Sequence, residues 1–112
     1  MLDVIITDGF ELEWKDLGMT QNQLDDLEEF LIQNPEAGDI IKGTGGMRKL
    51  RWKLNNNKGK SGGQRCIYVY YNSFEKLFLI TTYPKSEKED LTESEKQQLK
   101  ELSKQMKKAL SE

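Results

Sequence analysis

The chain has 112 residues, of which 32% are charged and 36% hydrophobic, and it contains one cysteine and no histidine. That length supports a single domain, expected over 1–112, with one modest core. Without histidine, Ser-His-Asp and Cys-His catalysis are excluded and no zinc site of ordinary ligand count can be assembled; lone Cys66 cannot close an internal disulfide.

The first residues, Met1 to Asp8, carry no basic segment followed by a long apolar run, and no stretch approaches the ~20 apolar residues of a membrane helix. A cytoplasmic protein that does not enter membranes is expected. Val4-Ile5-Ile6 reads as a first strand, broken at Asp8-Gly9. Phe10 to Leu17 predicts a short helix with Phe10, Trp14 and Leu17 on one side, closed by Gly18. Thr20-Gln21-Asn22-Gln23 is a capping box, and Leu24, Leu27, Phe30 and Leu31 recur at helical spacing until Asn34-Pro35 ends the helix. Ala37 to Gly46 is a glycine-rich connector.

Three strands follow. In Met47 to Leu54, Leu50, Trp52 and Leu54 alternate with Met47, Lys49, Arg51 and Lys53, which places three cations on one face. Asn55 to Gly63 is a polar loop. Gln64 to Tyr71 sets Cys66, Tyr68 and Tyr70 against Arg65, Ile67, Val69 and Tyr71. Asn72-Ser73 marks a turn. Lys76 to Tyr83 is largely apolar and reads as a central strand, ended by Pro84. A last helix opens with Thr92 as N-cap and Glu95 as its capping-box partner. Its apolar stripe is Leu99, Leu102, Met106 and Leu110. Lys104, Lys107 and Lys108 near its end match the helix dipole.

A net charge of -2 alone argues against a nucleic-acid partner, but the distribution reverses that impression. Residues 1–41 hold eleven acids and one base. Residues 42–74 hold eight bases and no acid, and the remainder is balanced. Gly59-Lys60-Ser61 is not the end of a phosphate-binding P-loop, because Leu54 stands where that motif needs glycine and the loop joins two strands. The basic stretch has no carboxylate, which argues against a two-metal nuclease centre there. No metal or cofactor is expected.

One chemistry suits Lys, Arg and Tyr. RNA can be cleaved through its own 2′-hydroxyl. That reaction needs a base for the 2′-OH, cations opposing the charge that grows on the phosphate, and an acid for the leaving 5′-oxygen. Lys49, Arg51, Arg65 and Tyr83 supply these residue types on neighbouring predicted strands; whether they converge depends on strand order. A solvated basic hairpin balancing acidic helices is the plain alternative.

Three blocks of the sequence, Gly43-Thr44-Gly45-Gly46-Met47-Arg48-Lys49-Leu50-Arg51, Lys58 to Tyr70, and Leu79-Ile80-Thr81-Thr82-Tyr83-Pro84-Lys85 to Leu91, resemble the HigB branch of the RelE toxin superfamily. The resemblance spans roughly residues 30–110. It implies an α+β fold: a small twisted antiparallel sheet with helices packed on one side, in the order β-α-α-β-β-β-α. It also implies a toxin of a toxin–antitoxin pair, a metal-independent endoribonuclease that cuts mRNA in the ribosomal A site and so contacts rRNA. A cognate antitoxin, often with a helix-turn-helix domain, would neutralise it and link it to operator DNA. Carried over residue by residue, the resemblance places catalytic groups at Lys49, Arg51 and Arg65, and at Tyr83 and Lys85 around the end of the last strand. Some members use histidine here, and this chain has none; a tyrosine found further along in some relatives falls near Thr92. Arg48, Lys53, Lys58 and Lys60 read as RNA-backbone contacts. The alternative function is an inactive RNA- or ribosome-binding or protein-interaction module of the same fold.

Overall fold

The computed structural model describes residues 1–53 and 63–112. Its elements are β1 (Asp3–Ile6), α1 (Asp8–Asp16), α2 (Gln21–Gln33), β2 (Asp39–Ile40), β3 (Met47–Trp52), β4 (Gln64–Tyr71), a 3-10 turn (Asn72–Phe74), β5 (Lys76–Pro84) and α3 (Glu93–Ser111). The expected α+β class and element order hold, with β2 added inside the connector.

The local signals act as the sequence suggests. Thr20 and Thr92 each accept a hydrogen bond from the backbone three residues on, and Gln23 and Glu95 return the bond to the cap residue's N–H. Thr7 caps α1, and its hydroxyl also donates to the Leu79 carbonyl at 2.8 Å, tying the helix start to β5. Helix α2 ends at Asn34, before Pro35.

The five strands form one sheet in the order β1-β5-β4-β3-β2. Two expectations are corrected. The sheet is mixed, because β1 pairs parallel to β5, with Val4 opposite Leu77 and Ile6 opposite Leu79. Parallel pairing needs a long crossover, and the chain between the two strands supplies one. The helices also lie on both faces. Phe10, Trp14, Leu24, Leu27 and Leu31 of α1 and α2 bury against Leu50, Cys66, Tyr68, Leu77 and Leu79. Leu99, Met106 and Leu110 of α3 pack on the opposite face, over Met47, Ile67, Val69 and Tyr71. The reason lies in β4, whose alternate residues are apolar on both sides and therefore need two covers. Fully buried Leu27 and Leu31 each contribute about 1.5–3 kcal/mol. Leu102, expected in the α3 stripe, is 37% exposed, while Ser103 is buried in its place.

Strand β2 exists because the connector is fastened down. The Tyr68 hydroxyl donates to the Pro35 carbonyl at 2.8 Å and accepts the Gly38 N–H at 2.9 Å. A Cβ on Gly38 would come within 2.9 Å of the Tyr68 ring, so the close approach requires glycine. Among the described residues, no helix is long and apolar enough to cross a membrane.

Candidate functional site

The site is built where β3, β4 and β5 run side by side. Arg51 stands opposite Arg65, and Arg65 opposite Tyr83, across two successive antiparallel ladders. Lys49 lies two residues from Arg51 and shares its face. Tyr83 belongs to that face only through a β-bulge. Tyr68 pairs with Leu79 and Ile67 with Thr81, so Ile80 is an extra residue in β5. Strict alternation from Leu77 and Leu79 would send Tyr83 toward α1 and α2; the bulge turns it toward α3.

The bulged end of β5 lies beyond the last residue of β1, and α1 covers it. The Glu13 carboxylate accepts from the Thr81 hydroxyl at 2.8 Å and from the Thr82 N–H at 3.1 Å. Thr82 in turn donates to the Arg65 carbonyl at 2.9 Å and receives the Gln64 amide at 3.2 Å. These bonds fix the backbone beneath Arg65 and Tyr83. Glu13 had no signal in the sequence, since it reads as one more acid on an amphipathic helix.

Two acids after β5 close over the cations. Arg65, 3% exposed, donates through Nη2 to Glu89 Oε2 at 3.3 Å. Lys49, 19% exposed, reaches Asp90 Oδ1 at 3.3 Å and the Glu89 carbonyl at 3.2 Å. The Lys88 ammonium sits 5.0 Å from the centre of the Tyr83 ring and pairs with Glu95. The Tyr83 hydroxyl is buried and has no hydrogen-bond partner among the described residues. Burial pushes its pKa up, with nearby Arg65 opposing that shift, so it stays protonated at neutral pH. A cleft of about 300 Å³ between β5 and α3, with Ile80, Leu91 and Leu99 in its lining, meets the site at Thr81, Tyr83, Lys88 and Glu95.

The structure thus brings Lys49, Arg51, Arg65 and Tyr83 together. Arg51 is exposed, and so is Lys53 just beyond it. Lys85 is exposed and held through its backbone N–H to Gly63 at 3.2 Å. Arg48 points elsewhere: its Nη1 donates to the Glu36 and Gly38 carbonyls at 3.1 and 2.7 Å, so it braces the connector. Lys58 and Lys60 lie outside the described residues. Trp52 packs on Phe30 of α2 with ring centres 5.4 Å apart, away from the cationic face. Cys66 is fully buried, and its pKa is pushed up to about 12, which keeps the thiol un-ionised and unreactive as a nucleophile. Among the described residues, no three His, Cys, Asp or Glu side chains are grouped to hold a metal.

Such a site can grip an anion between Lys49, Arg51 and Arg65 and present a protonated phenol beside it. Comparison with solved structures finds the same fold in E. coli RelE within the intact RelBE toxin–antitoxin complex: TM-score 0.54, 23% identity, 75% of this chain and 96% of that chain covered. E. coli RelE in the free state, as an arginine double mutant, matches with TM-score 0.54 and 18% identity over 79% of this chain and 87% of that one. The family model for the RelE toxin of the RelE/RelB toxin–antitoxin system matches residues 18–112. The span takes in α2, every strand of the site and α3, and on that ground the chain belongs to the RelE toxin family.

Proposed function

We propose that the protein is the toxin of a toxin–antitoxin pair and acts in the cytoplasm as a ribosome-dependent, metal-independent mRNA endoribonuclease. The observation that supports this best is the convergence of Lys49, Arg51, Arg65 and Tyr83 on one face of the sheet. In this reading an RNA phosphate replaces the Glu89 and Asp90 carboxylates as the partner of Arg65 and Lys49. Released from Asp90, Lys49 serves as the base for the 2′-hydroxyl proton. The 2′-oxygen forms a bond to phosphorus as the P–O5′ bond breaks. Arg51 and Arg65 oppose the charge that builds on the phosphoryl oxygens. The Tyr83 hydroxyl gives its proton to the departing 5′-oxygen, and exposed Lys85 and Lys53 steer the backbone. Every partner in this reading is RNA of the translating ribosome or the cognate antitoxin, which carries the helix-turn-helix and any operator contact.

The test is expression without antitoxin. Growth should stop, and primer extension on translated transcripts should show new 5′ ends. Lys49→Ala with Arg65→Ala should abolish both; full toxicity of that double variant would sink the assignment. A second reading, a binding module without chemistry, draws on the buried Tyr83 hydroxyl and the acid-covered cations. It requires ribosome binding with no cut transcripts.

A further inference from the structure

The direction of Tyr83 rests on the bulge at Ile80, and a bulge leaves its extra residue unpaired and the ladder around it disrupted. Here it falls where β5 also loses its outer neighbour, because β1 ends at Ile6, opposite Leu79. Lys85 donates its N–H to the Gly63 carbonyl, so Gly63 and Lys85 form a hydrogen-bonded pair and, by alternation, Cys66 and Thr82 a non-hydrogen-bonded one. The Thr82 N–H therefore points away from β4, toward the edge that β1 does not reach. A buried N–H left bare there would be costly.

Helix α1 fills that edge. At its N-cap, the Thr7 hydroxyl donates to the Leu79 carbonyl and lies 3.3 Å from the Ile80 carbonyl. Further along the same helix, Glu13 Oε1 accepts both the Thr81 hydroxyl and the Thr82 N–H. One helix thus brackets the bulge on both sides. The helix itself is held by buried Phe10 and Trp14, and the Trp14 indole N–H donates to the Thr20 carbonyl at 2.9 Å. Within α1 an acid at position 13 has no purpose. It stands in the last turn, where the helix dipole disfavours an anion, and Asp16 three residues on is a like charge. The ion pair of this helix, Glu11 with Lys15, leaves it out.

We propose that Glu13 is a positioning residue for the general acid: its carboxylate takes the place of the missing strand, holds the bulged register, and keeps Tyr83 on the face of Lys49, Arg51 and Arg65. In the unbulged register every side chain after Ile80 changes face. Thr82 would then point toward α3 and Tyr83 toward the α1–α2 core. The two donors that Glu13 accepts belong to the residues immediately after the bulge, and a charged acceptor binds them more strongly than a strand carbonyl does. Thr82 carries the constraint inward, because its hydroxyl donates to the carbonyl of Arg65, the residue opposite Tyr83. Glu13 acts through Thr81 and Thr82 and has no contact with the reacting atoms. The inference rests on the reading of Tyr83 as proton donor to the departing 5′-oxygen.

The first measurement is single-turnover cutting of mRNA on programmed ribosomes. Glu13→Ala should cut about 10²-fold more slowly at saturating protein, the effect of a misplaced reacting group. Its half-saturating concentration should stay within about threefold of wild type, because the cations that bind are untouched. Glu13→Gln keeps an oxygen acceptor in place and should recover the rate to within about fivefold. Combined with Tyr83→Phe, Glu13→Ala should slow cutting by no more than about twofold beyond Tyr83→Phe alone, since the two changes remove one function. Losses that multiply, or a Glu13→Gln variant as slow as Glu13→Ala, would overturn the proposal. So would a Glu13→Ala chain that does not fold, which would make Glu13 an anchor of the fold. The second measurement needs no cutting. Fluorotyrosine in place of the four tyrosines gives a fluorine resonance for Tyr83, identified by its loss in Tyr83→Phe. Glu13→Ala should move or split that resonance and Glu13→Gln should leave it in place. A resonance unmoved by Glu13→Ala overturns the proposal whatever the rates. If the wild type cuts no transcript, the nuclease reading ends, and the fluorine resonance alone decides whether Glu13 sets Tyr83.

Discussion

Arg65 and Tyr83 stand opposite each other in the β4–β5 ladder, on the face covered by α3, because Ile80 is one residue too many in β5. The bulge converts a tyrosine that alternation assigns to the α1–α2 core into a neighbour of the cations. It also leaves the phenol hydroxyl buried without a partner among the described residues.

Tyr83→Phe separates chemistry from packing. Loss of a general acid should slow single-turnover cleavage about 10²- to 10⁴-fold. Because the hydroxyl has no hydrogen-bond partner among the described residues, its removal should leave thermal stability unchanged or slightly raised. A clear drop in Tm with intact cleavage would show that Tyr83 serves the fold alone.

Glu89 and Asp90 compete with phosphate for Arg65 and Lys49. Glu89→Gln with Asp90→Asn should therefore tighten binding of a non-cleavable RNA by roughly three- to tenfold, the effect of about 1 kcal/mol of lost repulsion. Asp90 is 78% and Glu89 45% exposed on their side chains, so stability should fall by less than about 1 kcal/mol. Weaker RNA binding would mean that the acids position the cations and do not cover them.

Ser103 joins α3 to the β2–β3 turn and to Tyr71. Ser103→Ala leaves the Gly45 carbonyl and the Tyr71 hydroxyl each short of one bond and should cost about 1–3 kcal/mol in urea unfolding. Ser94→Ala, an exposed position in the first turn of α3, should change stability by less than about 0.5 kcal/mol. Equal effects at the two positions would contradict the role given to the anchor.

Cys66 is the buried thiol of β4, its pKa lifted from 9.0 to about 12 by burial. The fold favours the neutral thiol. The contribution is fully present below pH 9, where both states keep the proton. It is lost as the pH rises from 9 toward 12, because the unfolded chain ionises first. Thiol-directed reagents at pH 8 should label the native protein only as fast as it opens, and at full rate in denaturant. Rapid native labelling would be incompatible with the packing seen here.

Much of this architecture was legible along the chain. The caps at Thr20 and Thr92, the helix stop before Pro35 and the strand Gln64–Tyr71 depend on neighbours within a few residues, and such signals survive without tertiary context. Alternation in β3 likewise placed Lys49 and Arg51 on one face, because a strand's side-chain period is fixed by backbone geometry. Other features arise between distant segments. The parallel pairing of β1 with β5 and the placement of α3 on the face opposite α1 and α2 follow from how two apolar faces of one sheet find cover. The bulge at Ile80 follows from the fit of two strands. The closure of Glu89 and Asp90 over Arg65 and Lys49 joins residues 24 and 41 positions apart. Residue types were enough to name the cations; only the tertiary structure set Tyr83 beside them, because one unpaired residue reverses the direction of every side chain that follows it.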